Sequence, residues 1–212
     1  MRHYSLFDRL LSEADRALRI THAPADAPER PSPAAVHPRA ELQADERRHV
    51  AGLMRINHAG EVAAQGLYFG QAAVARDPNL RVHLLEAAAE EADHLAWCEA
   101  RLSELNATPS IASPLWYGGA FAIGALAGTL GDRLSLGFVV ETERQVESHL
   151  GEHLQRLPES DQATRAVLER MQTDEAQHRE HAQELGAAAL PWPLPRLMQL
   201  AADVMRAVAY RL

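Results

Sequence analysis

The chain has 212 residues, which is enough for one domain with a full hydrophobic core and short extensions. Its formal net charge is −8, so electrostatics give no reason to expect nucleic acid as a partner. The single cysteine, Cys98, excludes an internal disulfide framework and any paired-cysteine metal site.

Frequent Ala, Leu and Glu, together with few β-branched runs, favour an all-α protein. Residues 4–20 carry apolar side chains at helical spacing, which predicts an amphipathic helix. Residues 21–39 contain five prolines, a density typical of an extended, flexible linker. We therefore expect residues 1–41 to form a helix and a linker, and residues 42–212 to form the folded domain.

Prolines, glycines and capping residues divide the rest of the chain into six predicted helices. Their predicted ranges are about 45–75, 79–106, 115–130, 134–157 and 161–185, followed by an amphipathic helix after Pro193. The segment 115–130 is uncharged but shorter than the roughly 20 residues of a membrane-spanning helix. It predicts a buried or membrane-dipping crossover helix between two long helix pairs. Four helices with one long crossover form a ferritin-like bundle.

Two Glu-x-x-His pairs lie on these helices, Glu91 with His94 and Glu175 with His178. Residues three apart share one helix face, so each pair can bind one metal ion. In a chain with 11 histidines such pairs also arise by chance. A third pair, Glu46-x-x-His49, has no companion glutamate and is interpreted as part of a solvated face.

The metal prediction depends on a longer pattern that occurs twice, in which an isolated glutamate precedes each Glu-x-x-His pair. Glu61 precedes Glu91 by 30 residues, and Glu143 precedes Glu175 by 32. Each interval corresponds to the length of one helix, a turn and part of the returning helix. Each isolated glutamate therefore lies level with a Glu-x-x-His pair, and it is expected to bridge two ions. This is the ligand set of di-iron carboxylate bundles. Oxygen ligands with two imidazoles suit iron or manganese, whereas zinc favours Cys and His.

Two further acidic residues, Glu90 and Asp174, each immediately precede a predicted ligand. We expect each carboxylate to orient the opposite histidine by a hydrogen bond.

Several segments of the chain resemble the demethoxyubiquinone hydroxylases of ubiquinone biosynthesis. These segments are Arg55-Ile-Asn-His-Ala-Gly-Glu61, Tyr68-Phe-Gly-Gln71, Glu91-Ala-Asp-His94-Leu95, Pro114-Leu-Trp116 and Asp174-Glu-Ala-Gln-His178. The resemblance covers residues 45–212. It implies a di-iron monooxygenase that hydroxylates a polyprenylated methoxy-methyl-benzoquinol (demethoxyubiquinol) in the penultimate step of ubiquinone synthesis.

The resemblance also implies which residues act. Two iron ions would be held by Glu61, Glu91, His94, Glu143, Glu175 and His178. On the helix of Glu143, Glu141 and Glu147 remain alternatives. Tyr68 follows Glu61 by two helical turns and, with His149, is expected either to act in the reaction cavity or to be a buried polar residue of the core.

The implied partners are O2, a membrane-embedded polyprenyl quinone and a reductant such as NADH. Segment 115–130 and the last helix, with Arg196, Arg206 and Arg211, are expected to form an apolar entrance at the membrane surface. The expected location is peripheral, at the cytoplasmic face of the cell membrane or at the inner mitochondrial membrane. A homo-oligomer and a lipid-binding accessory protein both stay open.

Two alternatives compete with the hydroxylase. One is iron storage or peroxide scavenging by the same ferritin-like bundle. The other is a non-enzymatic helical scaffold or lipid-binding module.

Overall fold

The computed structural model describes residues 6–212, and every regular element in that range is helical. The α-helices are α1 (Leu6–His22), α2 (Ala44–Val74), α3 (Pro78–Glu104), α4 (Ser113–Thr129), α5 (Asp132–Arg156), α6 (Gln162–Glu184) and α7 (Pro193–Ala209). The predicted all-α class is confirmed, and the helix ends that were predicted within this range differ by at most two residues from those observed. The predicted start of the first helix, at Tyr4, lies outside the described residues.

Helices α2, α3, α5 and α6 form the bundle, and its interior is layered. One apolar layer contains Val50, Leu53, Met54, Trp97, Cys98, Leu102, Leu150, Leu168 and Met171. The other contains Ala64, Tyr68, Leu80, Leu84, Leu136, Val139 and Ala182. Along each of the four helices, the predicted metal ligands fall between these two layers. The layers therefore enclose the acidic residues and exclude water from both sides.

Helix α4 lies between α3 and α5 in the chain and packs on α2 through glycines. A Cβ atom on Gly70 would lie 2.2 Å from the carbonyl oxygen of Phe121, and one on Gly124 would lie 2.2 Å from that of Leu67. The two backbones are therefore in direct contact, as small residues permit. The outer face of α4 exposes Leu115 and other large apolar side chains, so the helix is buried on one face only.

The segment before α2 does not behave as the free linker that its prolines predicted. The backbone N–H of Ala25 donates to Glu99 at 2.7 Å, and that of Glu29 donates to Asp93 at 2.7 Å. A short 3-10 helix, Pro33–Val36, then packs against α6. Carboxylates on α3 thus supply acceptors for backbone groups of this segment, and sequence spacing cannot assign such contacts.

The third Glu-x-x-His pair, which was predicted to lie on a solvated face, makes structural contacts at the surface of α2. The Glu46 carboxylate accepts a hydrogen bond from the backbone N–H of Gln43 at 2.9 Å and so caps the start of α2. His49 Nδ1 lies 2.8 Å from the hydroxyl of Tyr210. Both residues therefore have structural partners, and the C-terminal end of the chain is tied to α2.

Within residues 6–212, no helix combines the length and the apolar character needed to cross a membrane.

Candidate metal centre

The six predicted ligands converge in the middle of the bundle. Helix α2 contributes one residue, α3 two, α5 one and α6 two, and all six side chains belong to residues that are at most 8% exposed. They are Glu61, Glu91, His94, Glu143, Glu175 and His178. A concentration of buried acids of this kind requires compensation, because an unpaired buried charge is costly.

One half of the centre is built around His94. Its Nδ1 atom lies 3.0 Å from Glu91 Oε2, 3.2 Å from Glu175 Oε1 and 3.7 Å from Glu61 Oε2. Ligand atoms of these four residues all lie within 4.8 Å of one another, close enough to surround a single metal ion. Three carboxylates and one imidazole are a ligand set that suits iron or manganese.

The other half is built around His178. Its Nδ1 atom lies 3.3 Å from Glu91 Oε1 and 3.4 Å from Glu175 Oε2. Glu91 and Glu175 thus turn one oxygen toward each histidine. The isolated glutamates were expected to bridge the two ions; the geometry instead places the glutamates of the Glu-x-x-His pairs between the two halves. That correction follows from their position on the faces of α3 and α6 that meet at the centre.

Glu143 differs clearly in its surroundings from the two other candidate glutamates on α5. Its carboxylate is buried and accepts a hydrogen bond from the Tyr68 hydroxyl. Glu141 instead pairs with Arg144, and Glu147 lies 3.2 Å from Arg179. Of the three glutamates, only Glu143 therefore turns its carboxylate to the interior.

Several buried polar atoms at the centre have no hydrogen-bond partner within the described part of the chain. They are Glu91 Oε1, Glu143 Oε2, Glu175 Oε2 and His178 Nδ1. An unsatisfied buried polar group costs about 1–3 kcal/mol, so a cluster of them is unusual in a packed interior. All four are atoms that bind metal when deprotonated, and they lie on the His178 side. The residues present therefore fit a second cation beside the one near His94.

The electrostatics of the centre favour cations. Burial, followed by repulsion from neighbouring carboxylates, raises the pKa of Glu61 and Glu143 well above the usual range. Burial acts to lower the pKa of His178, but the carboxylates of Glu175 and Glu91 close to its ring outweigh it and raise that pKa to about 12. In the absence of metal, protons on the imidazoles thus compensate the carboxylates, and metal cations can replace them.

The hydrogen bonds expected of Asp174 and Glu90 are present. His94 Nε2 lies 3.0 Å from Asp174 Oδ2, and His178 Nε2 lies 2.8 Å from Glu90 Oε2. Each carboxylate accepts a hydrogen bond from the Nε2–H group, which turns the Nδ1 atom toward the buried glutamates. Asp174 is additionally bound by Arg30 and Arg170, and neither arginine was singled out from the sequence.

An apolar cavity of about 400 Å³ lies between the bundle and the helices α4 and α7. Its walls come from α2, α4, α5 and α7 and include Gly60 and Thr142, the chain neighbours of Glu61 and Glu143. Ile123 of α4 and Met205 of α7 also line it. The two helices expected to form an apolar entrance therefore flank an apolar cavity next to the helical turns that carry Glu61 and Glu143.

Tyr68 and His149, the two residues expected at the reaction cavity, occupy different places. Tyr68 contacts Glu143 directly and does not line the apolar cavity, whereas His149 forms part of its wall. Burial lowers the pKa of His149 to about 4, so its imidazole is neutral at physiological pH.

The chain matches the family described as "Ubiquinone biosynthesis protein COQ7" over residues 48–209. It is 60% identical over 211 residues to a Xanthomonas oryzae pv. oryzae protein named 3-demethoxyubiquinol 3-hydroxylase, covering 100% of this chain and 97% of the relative. A Xylella fastidiosa protein of the same name is 55% identical, with the same coverage of both chains.

Proposed function

Because the chain belongs to the COQ7 family of ubiquinone biosynthesis proteins, we propose that it is a 3-demethoxyubiquinol 3-hydroxylase that uses two iron ions. The resemblance found in the sequence segments is confirmed by that membership. The observation that carries the proposal of two irons is the two-sided arrangement of Glu91 and Glu175, each with one oxygen toward His94 and one toward His178.

The proposed ligands divide between two positions. Glu61 and His94 serve the first ion, Glu143 and His178 serve the second, and Glu91 and Glu175 serve both. When bound, the irons would supply the electrons that reduce O2 for insertion of one oxygen atom into the quinol ring. The ligand proposal is supported by the burial of all six residues and by the unpartnered atoms on the His178 side.

The polar residues around the ligands would carry protons and hold the ligand carboxylates in place. Burial and the nearby Glu143 raise the pKa of Tyr68 well above its usual range, so its hydroxyl stays protonated and donates to Glu143. That hydrogen bond fixes one Glu143 oxygen and leaves the other directed to the metal position. We assign Tyr68 this orienting role.

The cavity supports the choice of an apolar, prenylated substrate. Its walls are almost entirely apolar, and it passes beside the helical turns that carry Glu61 and Glu143. His149 Nδ1 lies 3.3 Å from the carbonyl oxygen of Gln145, which makes Nδ1 the donor and leaves Nε2 as an acceptor. A quinol hydroxyl in the cavity would donate to that nitrogen, and the ring would then lie beside the helical turns that carry Glu61 and Glu143.

The substrate's chemistry also suggests where the protein works. Exposed apolar side chains of α4 and α7 lie next to the residues that line the cavity, which supports a peripheral position on a membrane that holds the prenylated quinol. We propose the cell membrane as that site. The oxygen atom that is not inserted leaves as water, so two electrons must come from a reductant such as NADH.

The proposal is tested with protein reconstituted anaerobically with Fe²⁺ and given demethoxyubiquinol of short tail length, NADH and ¹⁸O2. The expected product is the hydroxylated quinol carrying one ¹⁸O atom, detected by mass spectrometry. Iron oxidation or peroxide consumption with unchanged quinol would instead support the storage or scavenging alternative. Less than about one iron per chain would support the scaffold alternative, because two ions are the full complement of such bundles.

A further inference from the structure

We propose that Arg30, in the segment between α1 and α2, is a positioning residue for the metal ligand His94 and acts through Asp174. This inference rests on the proposed function, because it takes His94 to be a ligand. Arg30 lies outside residues 48–209, the part of the chain that matches the family. It is therefore not contained in the pattern from which the metal centre was predicted.

The backbone around Arg30 is fixed to α3. Asp93 accepts hydrogen bonds from the backbone N–H of Glu29 at 2.7 Å and from Arg30 Nε at 2.6 Å. The indole N–H of Trp97 donates to the carbonyl oxygen of Arg30 at 3.2 Å, and the guanidinium lies 5.0 Å from the centre of the Trp97 ring. These contacts involve both the backbone and the side chain of Arg30, so the guanidinium is held in one place.

From that position, Arg30 reaches the carboxylate that orients His94. Arg30 Nη1 lies 2.7 Å from Asp174 Oδ2, and His94 Nε2 lies 3.0 Å from the same oxygen. One carboxylate oxygen therefore joins the N-terminal segment to the ring that faces the metal position. Arg30 Nε is bound to Asp93 while Nη1 is bound to Asp174, so the planar guanidinium holds the two carboxylates at a fixed separation and limits rotation of Asp174 and of the His94 ring.

Asp174 has a second arginine, but its geometry differs. Arg170 lies one helical turn earlier on α6, with its side chain 47% exposed, and contacts both Asp174 oxygens from the solvent side at 3.0 and 3.2 Å. Both partners of this pair lie on α6, so it does not connect Asp174 to another helix that holds ligands. Arg30 is more buried and is anchored by α3 as well, so it couples two helices that hold ligands.

The two halves of the centre differ in this respect. Glu90, which orients His178, has a side chain 55% exposed, and no arginine pairs with it among residues 6–212. Removal of Arg30 should therefore affect the ion beside His94 and leave the ion beside His178 unchanged. A general loosening of the bundle would affect both.

The test uses Co²⁺ alone as the probe, titrated into the full-length metal-free chain and followed by its visible absorption. Wild type is expected to bind two equivalents. In Arg30→Gln, one equivalent should bind about tenfold more weakly, with a shifted absorption band, as is typical when the partner of a ligand histidine is disturbed. The other equivalent should keep its affinity and spectrum. Arg30→Lys should restore part of the loss, because lysine keeps the charge but lacks the guanidinium fork.

Arg170→Gln is the matched control, because it removes the other arginine from the same carboxylate, and it is expected to change Co²⁺ binding by less than Arg30→Gln. Two wild-type equivalents with unchanged binding in Arg30→Gln would overturn the Arg30 proposal. Equal weakening of both equivalents, or equal losses in the two variants, would overturn it as well. Failure of wild type to bind two equivalents would instead overturn the proposed metal centre, so the two failures are distinguishable.

Discussion

Glu143 occupies the position in the centre that sequence spacing defines least, because Glu141 and Glu147 lie on the same helix. The structure turns only Glu143 inward, against the Tyr68 hydroxyl. We predict that Glu143→Gln lowers bound iron from two equivalents toward one and lowers hydroxylation at least about a hundredfold, since a neutral amide is a poor iron ligand. Iron analysis and quinol turnover measure the two effects.

Glu141→Gln and Glu147→Gln are the controls for that variant, since both carboxylates pair with arginines away from the centre. Each should keep two irons and near-normal turnover. If either control lost an iron while Glu143→Gln kept both, the assignment on α5 would be wrong.

The protonation of His178 predicts how metal binding depends on pH. Its pKa in the metal-free fold is raised to about 12, above the value of about 6.5 in an unfolded chain. The stability that this proton contributes is complete below pH 6.5 and is lost as the pH rises through the folded pKa. Metal binding has the opposite trend, because Nδ1 must lose its proton to become a ligand.

Metal affinity should therefore rise with pH by about tenfold per unit for each proton displaced. Co²⁺ titrations of the metal-free chain at pH 6.5, 7.0 and 7.5, each with proton release followed in weak buffer, measure this slope. Affinity that stays constant over that interval, with no proton released, would contradict protonated imidazoles in the metal-free centre.

At the scale of the helices, local signals predicted most boundaries. Asp77 caps α3 by accepting the backbone N–H of Asn79 at 2.8 Å, and Asp161 caps α6 by accepting that of Thr164 at 3.1 Å. Such signals involve residues close in sequence. The docking of Arg30 on Asp174 joins residues 144 apart and had no local signal.

The same distinction, between signals close in sequence and contacts between distant residues, applies to the candidate site. Duplicated spacing predicted which six residues converge, because helical periodicity and chain reversal suffice for that. The bridging geometry was predicted wrongly, because it depends on the relative rotation of α3 and α6, and that rotation is set by packing of the whole bundle. The role of Glu46 in capping α2 was likewise missed, although its spacing from Gln43 was a usable signal.

The contact between α2 and α4 gives a prediction at the scale of helices. Gly70→Ala should lower the free energy of unfolding by about 1–3 kcal/mol, because the added methyl group would meet backbone atoms of Phe121 and Ala125 that cannot move unless the helices separate. Chemical denaturation of the metal-free protein measures the change, which avoids the contribution of bound metal.

Gly118→Ala on α4 is the matched control, because a Cβ atom there has no neighbour within 4 Å. Alanine favours a helix over glycine by about 1 kcal/mol, so this variant should be slightly stabilised. A loss of stability as large as that of Gly70→Ala would show that α4 itself, and not its contact with α2, is sensitive to substitution.

At the scale of the whole molecule, the bundle separates two environments. The acidic centre is closed by apolar layers above and below, whereas the cavity beside it is bounded by the two helices outside the four-helix bundle, α4 and α7. Next to that cavity, both helices expose large apolar side chains, among them Leu126 of α4 and Leu200 of α7. A prenylated quinol could thus pass from a membrane into the cavity without crossing water.

We therefore predict that the exposed apolar faces of α4 and α7 bind membranes. The double variant Leu126→Glu/Leu200→Glu should lower the vesicle-bound fraction at least about tenfold, since burial of each leucine is worth about 1.5–3 kcal/mol and glutamate is repelled by anionic lipid. Flotation with vesicles of phosphatidylcholine and phosphatidylglycerol measures it. The control is Val82→Glu/Leu185→Glu, which changes two exposed apolar residues that line a separate pocket between α3 and α6. Equal flotation of wild type and both variants would contradict a membrane role. If light scattering showed that only the first variant loses a dimer, this surface would be assigned to self-association, because a second copy of the chain would then cover the same apolar faces.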